Sequence, residues 1–131
     1  MKQDDRERRW IRATERRKTA QACFDQNCYS DSITLSYYAC YQAMWVAVGD
    51  PVAGLWRHGG LINEFCQGRW QQPPVPPQTM ASLRRKLNQL YLNRIQVDYE
   101  AQNLGQDAAQ EGLVTMDETL LLVAQQTRFS L

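Results

Sequence analysis

The sequence predicts an all-α protein, an up-and-down four-helix bundle with an additional short helix. Apolar residues recur at intervals of three and four positions in several separate stretches of the 131 residues. No stretch alternates apolar and polar residues as a half-buried strand does, and no segment is repeated along the chain. Glycine, proline and asparagine, which commonly end helices, lie between the stretches. We therefore expect a single helical domain over residues 1–131.

Composition limits the class of protein further. No run of about 18 apolar residues exists, so we expect no membrane-spanning segment. The first ten residues are charged where an export signal needs an apolar centre, which favours a cytoplasmic protein. The formal net charge is only +1, but the N-terminal end is basic and the C-terminal end acidic. This asymmetry fits a nucleic-acid surface or helices that attract each other, and for the basic stretch alone a solvated helix face is the better interpretation.

The cysteines and the histidine argue against a metal site. Four cysteines occur without a CxxC pair, together with one histidine. These residues are poor material for zinc, so we expect no metal and reduced thiols in a cytoplasmic protein. The cysteines are Cys23, Cys28, Cys40 and Cys66.

The first two predicted helices make up the N-terminal part of the bundle. One spans Asp4–Gln26, and the next begins with Ser30 as its N-cap and ends at Val48 before Gly49. The second helix is apolar on nearly all sides, which predicts a central position in the bundle. Three tyrosines of this helix are interpreted as core residues in preference to a base-stacking platform: Tyr37, Tyr38 and Tyr41.

A short helix and a proline-rich connector follow. Apolar spacing predicts the short helix over His58–Gln67. Four prolines within Gln71–Pro77 exclude a helix there and favour an extended polyproline II conformation. A stiff connector between antiparallel helices is the preferred interpretation, and a peptide ligand for another domain is the alternative.

Two more helices complete the prediction. A long helix begins at Thr79 and ends near Asn103, with Gly105 as its C-cap. The segment Thr115–Glu118 has the sequence of a capping box and predicts the start of a last helix that ends near Gln126. Residues 107–114 then form either an irregular link or an extra turn.

The long helix carries the candidate functional centre. Arg94 and Asp98 continue its apolar face one turn apart, and Tyr99 lies beside them. Buried charges are costly unless they are paired, so a neighbouring helix, a second subunit or a ligand must compensate them. A plain intrahelical ion pair between Arg94 and Asp98 is the alternative interpretation. The preceding residues of this face are Leu83, Leu87, Leu90 and Tyr91.

Several short motifs resemble the HEPN superfamily (higher eukaryotes and prokaryotes nucleotide-binding). The motifs are Tyr37-Tyr38-Ala39 in the second helix, His58-x-x-x-Ile62-x-x-Phe65 in the third and Arg94-x-x-x-Asp98-Tyr99 in the fourth. Their order and spacing are similar to those of a small prokaryotic branch of the superfamily. The resemblance extends over roughly residues 10–124 and agrees with the predicted helices.

The resemblance implies both an architecture and a function. Members of the family form homodimers through their long helices, which would bring two Arg94 side chains together in a shared cleft. Many members are RNase toxins encoded beside a small nucleotidyltransferase antitoxin. In them an arginine holds the scissile phosphate and a histidine moves the proton of the ribose 2′-hydroxyl, without a metal or other cofactor. The resemblance thus implies a toxin-like protein that binds RNA or a nucleotide at Arg94.

The sequence departs from the family motif at the histidine. Tyr99 lies where that histidine is expected, and a phenol with a pKa near 10 is a poor general base at neutral pH. Asp98 needs a raised pKa to act as a base, and Arg94 would lower it. His58, the only histidine, is the remaining candidate for the proton relay, although a capping or packing role is the more common one.

Two hypotheses follow for the candidate residues Arg94, Asp98, Tyr99 and His58. The first is RNA or nucleotide binding with metal-independent cleavage of RNA. The second is a non-catalytic helical dimer that acts as an interaction or regulatory partner of a nucleotidyltransferase or another protein.

Overall fold

Five helices and no strand make up the computed structural model, which describes residues 1–131. Four helices have 20 to 23 residues and form the bundle, and the third helix, with ten residues, is the additional short one. The predicted all-α bundle with an additional short helix is therefore confirmed. The helices are α1 (Gln3–Asp25), α2 (Tyr29–Val48), α3 (His58–Gln67), α4 (Pro77–Tyr99) and α5 (Gln106–Thr127).

Helix α2 lies at the centre of the bundle, as its apolar surface predicts. Every other helix packs against it, and 11 of its 20 residues are buried. Helix α1, in contrast, buries only Trp10, Ala13 and Ala20, so most of its surface faces solvent. Because α2 contacts all four other helices, its side chains can contribute to a site formed mainly by another helix. No helix has the length and apolar composition needed to cross a lipid bilayer.

The opposite charges of the two chain ends meet in one cross-bundle ion pair. Arg17 Nε on α1 lies 2.8 Å from Asp117 Oδ1 on α5. Both side chains are more than a third exposed, so the pair contributes at most about 1 kcal/mol. This contact fits attraction between helices, one of the two explanations of the charge asymmetry.

Two helix starts differ from the sequence prediction. Helix α2 begins at Tyr29, so Ser30 is not its N-cap, and Cys28 at that position makes no side-chain cap. The reason is that the chain reverses within three residues, with Asn27 in the left-handed conformation at a φ of 64°. Helix α4 begins at Pro77 and not at Thr79, because proline fits the first helical position, where no N–H partner is needed.

The predicted boundary between the last two helices is wrong. Helix α4 ends at Tyr99, and Gly105 is the N-cap of α5, not the C-cap of α4. The segment Thr115–Glu118 lies inside α5 and does not cap it, and residues 107–114 belong to that helix. Thr115 is buried there, and its carbonyl accepts a hydrogen bond from Thr119 Oγ1 at 2.8 Å. Packing of the apolar face of α5 against the bundle thus extends the helix past a local capping signal.

The proline-rich connector joins α3 to α4, as the sequence predicts. It is fixed to α5 by two hydrogen bonds. The Gln72 N–H donates to Gln126 Oε1 at 2.8 Å, and Gln126 Nε2 donates to the Pro73 carbonyl at 3.0 Å. These contacts hold the N-terminal end of α4, the helix that carries the candidate site.

Candidate functional site

Arg94 lies near the C-terminal end of α4 and faces α2. Its side chain is buried, with only 4% of the residue surface exposed. Nη2 donates hydrogen bonds to the hydroxyl oxygens of Tyr38, at 2.6 Å, and of Tyr99, at 3.3 Å. Nε lies 3.3 Å from Asp98 Oδ2. Three of the four candidate residues are therefore together, and α2 adds Tyr38 to them.

The ion pair between Arg94 and Asp98 is present, but it does not satisfy the arginine. Nε is fully buried and makes no hydrogen bond, despite its short distance to the carboxylate. Asp98 Oδ1 accepts a hydrogen bond from Thr34 Oγ1 at 2.7 Å, and the Asp98 side chain is 28% exposed. The intrahelical pair is thus one part of a larger group of contacts between α2 and α4.

Aromatic rings surround the guanidinium. Arg94 Cζ lies 5.4, 5.1 and 5.2 Å from the ring centroids of Tyr37, Tyr38 and Tyr99, within the range of cation–π attraction. Burial opposes the charge of Arg94, but the oxygens of Tyr38, Tyr99 and Asp98 outweigh it and raise the pKa of Arg94. The guanidinium therefore stays charged, with one partly exposed carboxylate as its only acidic neighbour. We refer to these five residues as the Arg94 cluster.

His58 is linked to the Arg94 cluster through Tyr37. The Tyr37 hydroxyl is hydrogen-bonded to His58 Nδ1. Because burial raises the pKa of Tyr37, the phenol keeps its proton. This hydrogen bond holds Nδ1 against Tyr37 and leaves Nε2 without a hydrogen bond within the chain. The ring packs against Tyr41 and, nearly parallel, against Tyr91, with centroids 5.2 and 5.4 Å away. His58 makes no direct hydrogen bond with Arg94, Asp98 or Tyr99, so the predicted four residues do not form one contact group.

Two adjacent tyrosines connect the candidate residues, and the sequence prediction assigned both to the core. Tyr37 is fully buried and belongs there, whereas Tyr38 is half-buried and directs its hydroxyl at Arg94. A buried phenol usually needs a hydrogen-bond partner for its hydroxyl group. That requirement could have indicated that the two tyrosines have polar partners, but not that these partners are Arg94 and His58.

Acidification should destabilise the protein through His58. Burial and then the charge of Arg94 lower the pKa of His58 below its ordinary value of 6.5 in the folded chain. Below that value the unfolded chain binds more protons than the folded one, so stability decreases as the pH is lowered. The contribution of neutral His58 is complete above about pH 6.5 and is lost as pH falls through the lowered pKa.

Urea unfolding of the wild type and of His58→Gln at about pH 7.5 and about pH 5.5 measures this contribution. We expect the wild type to lose more stability than the variant on acidification, because the variant lacks the titrating imidazole. Equal losses would mean that His58 has the same pKa in the folded and unfolded chains.

The chain offers no evident metal-binding set, since no three His, Cys, Asp or Glu side chains are grouped closely enough to hold an ion.

No protein-family model and no curated protein matches the sequence. The function must therefore be inferred from the chemistry of the Arg94 cluster and of His58.

Proposed function

We propose that this chain is a HEPN-type cytoplasmic protein, the toxin-like component of a toxin–antitoxin or defence module. It binds a phosphate group of RNA or of a nucleotide through Arg94 and cleaves RNA without a metal. The observation that carries the proposal is a charged guanidinium that is buried without full pairing: Nε has no hydrogen bond, and only one carboxylate lies nearby. An arginine in that state has unused donors of the kind that bind phosphate.

Tyr99 controls access to these donors. Arg94 Nη2 uses its hydrogen bonds on Tyr38 and Tyr99, while Nη1 donates none within the chain. Tyr99 is 73% exposed and is the last residue of α4, and its bond to Nη2 is long at 3.3 Å. Displacement of the Tyr99 hydroxyl by a phosphate therefore breaks only one long hydrogen bond of Arg94. The phosphate gains a charged, partly desolvated partner.

His58 is the group with the chemistry to move the proton in this proposal. Its lowered pKa keeps the imidazole neutral at pH 7, which is the form that accepts the 2′-hydroxyl proton. Arg94 balances the negative charge that develops on the phosphate. In the tautomer that donates from Nδ1 to the Tyr37 hydroxyl, Nε2 is the atom that accepts the 2′-hydroxyl proton. Tyr37 lies between the two residues, so it aligns their relative positions.

A second copy of the chain completes the cleft in this proposal. Leu92 lies on α4 two residues before Arg94 and is 52% exposed. An exposed apolar residue on α4 suits contact with another long helix. Positions two apart point to opposite faces of a helix, so Leu92 does not itself border Arg94. That pairing of the long helices brings two Arg94 side chains to one cleft is what the HEPN resemblance implies.

Incubation of the purified protein with total RNA and with tRNA in EDTA tests the proposal. We expect cleavage by the wild type and a loss of about 100-fold or more in Arg94→Ala, because a donor to the developing charge is removed. Arg85→Ala is the matched control, since Arg85 is an exposed arginine of the same helix outside the Arg94 cluster. Circular dichroism verifies that each variant is folded. Cleavage that survives in a folded Arg94→Ala protein would place the active site elsewhere.

One observation favours a second function, that of a non-catalytic helical dimer which serves as interaction or regulatory partner of a nucleotidyltransferase or another protein. A cavity of about 500 Å³ lies between α4 and α5. Exposed Val114 borders it, and exposed Leu121 lies farther along the same pair of helices. A stable complex with the co-expressed product of a neighbouring gene, together with no turnover of RNA by the wild type, would support this function over the first.

A further inference from the structure

The turn between α1 and α2 places two cysteines at matched positions. The Asn27 N–H donates to the Phe24 carbonyl at 3.0 Å, and the Cys28 N–H donates to the Cys23 carbonyl at 2.8 Å. With Asn27 at a positive φ, these two bonds define the Schellman motif that closes many helices. Cys23 and Cys28 occupy the two positions of that motif whose side chains commonly contact each other.

The backbone bond also limits the distance between the two residues. Standard bond lengths and the 2.8 Å contact place the Cα atoms of Cys23 and Cys28 at most about 6.7 Å apart. Disulfides are formed by cysteines whose Cα atoms lie about 4.4–6.8 Å apart. Cys28 Sγ lies 3.8 Å from the Gln26 carbonyl oxygen, so this thiol lies over the end of α1, where Cys23 also lies.

Exposure distinguishes these two thiols from the others. Cys28 is exposed and Cys23 is half-buried, whereas Cys40 and Cys66 are buried. Burial raises the pKa of Cys40 to about 12 and that of Cys66 to about 11, so neither forms a thiolate readily. Burial, with the charges of Asp31 and Cys28, also raises the pKa of Cys23. Exposed Cys28 is therefore the thiol that a reagent meets first.

We propose that Cys23 and Cys28 form a dithiol that low-molecular-weight disulfides, such as glutathione disulfide, oxidise to an intrachain disulfide. The Cys28 thiolate attacks one sulfur of the reagent, which releases one glutathione and leaves a mixed disulfide on Cys28. The Cys23 thiolate then attacks Cys28 Sγ, and the second glutathione leaves. Both thiol protons pass to the released thiols, and the protein loses two electrons to the reagent. The new disulfide joins Cys23, on α1, to Cys28, the residue immediately before α2.

Oxidation of the folded full-length protein with glutathione disulfide tests the proposal. We expect its mass to fall by the two thiol hydrogens and two fewer cysteines to react with iodoacetamide after denaturation. Chymotrypsin cleaves after Phe24, between the two cysteines, so the resulting peptides should stay joined until a reductant is added. A protein that only retains glutathione on Cys28, or that forms disulfides between chains, would contradict the proposal, as would a protein that does not react.

Single substitutions separate the two steps. Cys23→Ser, and Cys23→Ala as a second variant, should stop at the mixed disulfide and keep one glutathione on Cys28. Cys28→Ser should react far more slowly, since the exposed thiol is gone. Cys40→Ser is the control and should form the intrachain disulfide as the wild type does. An intrachain disulfide in Cys23→Ser would involve another cysteine and overturn the assignment.

Discussion

An Arg94→Met variant should lose cleavage of RNA by about 100- to 1,000-fold and yet unfold at the same urea concentration as the wild type or a higher one. Methionine has a long unbranched side chain that can occupy the space of the arginine stem. Replacement of a whole buried ion pair by apolar residues of similar volume is often neutral, or stabilising by about 1–4 kcal/mol, whereas removal of one partner costs about 3–5 kcal/mol when the other charge stays buried. Arg94 is a candidate for that gain because it is buried and incompletely paired.

Whether Arg94→Met preserves or increases stability depends on Asp98, which remains after its ion-pair partner is removed. Asp98 would lose its ion pair, but its side chain is 28% exposed and still accepts the hydrogen bond from Thr34. Water can therefore solvate the carboxylate, and the large penalty of an isolated buried charge does not apply. Tyr38 would lose one hydrogen-bond donor, but the residue is only half-buried and its hydroxyl can turn toward water.

Urea unfolding and the RNA assay on the same preparations measure the two effects. Arg85→Met, an exposed change on the same helix, should leave stability within about 0.5 kcal/mol and cleavage unchanged. A loss of about 3–5 kcal/mol in Arg94→Met would instead identify Arg94 as a structural residue, and lost cleavage would then follow from a loosened bundle. Unchanged stability together with unchanged cleavage would remove Arg94 from the active site.

Local patterns were sufficient to predict most of the helices. The bounds of α3 agree with the sequence prediction, because the helix is short, its apolar spacing is regular and Gly68 follows it. The central position of α2 follows from apolar residues on all its sides. In both cases the signal lies within the segment itself, so no knowledge of distant contacts is needed.

The start of α5 could not be predicted in the same way. The segment Thr115–Glu118 has a local capping sequence, yet Ala109 and Leu113 are buried and continue the apolar face upstream. Burial of that face against α2 and α4 stabilises the extra turns by more than the cap could. Which partner a face meets is a property of the tertiary structure, and the local sequence does not contain it.

The site shows the same division between local and long-range information. Arg94 and Asp98 are four positions apart on one helix, so their proximity follows from helix geometry. The bond from Arg94 to Tyr38 spans 56 positions, and the one between Tyr37 and His58 spans 21. These contacts depend on how α2, α3 and α4 pack together. The sequence could therefore nominate His58, but it could not show that Tyr37 is its link to the cluster.

Removal of Leu87 should have the largest effect on stability. Leu87 is fully buried on α4, in the same apolar stripe that leads to Arg94. Leu87→Ala removes buried methyl groups and leaves a cavity, so we expect the free energy of unfolding to fall by about 2–5 kcal/mol. A domain of this size is stable by only about 5–15 kcal/mol, so the loss is a large part of the total. Helix α4 would also be held less firmly, and cleavage should decrease with it.

Leu92→Ala is the matched control, because it makes the same chemical change on the same helix at a residue that is 52% exposed. For a single chain we expect a change within about 0.5 kcal/mol.

Urea unfolding at several protein concentrations separates the two roles that α4 has in the proposed dimer. The loss in Leu87→Ala should be independent of concentration, since it arises within one chain. If two copies pair through α4, the midpoint of Leu92→Ala should fall below that of the wild type only at concentrations where the wild type is dimeric. Similar losses in both variants at every concentration would show that Leu92 supports the fold of the single chain, and α4 would then need another surface for pairing.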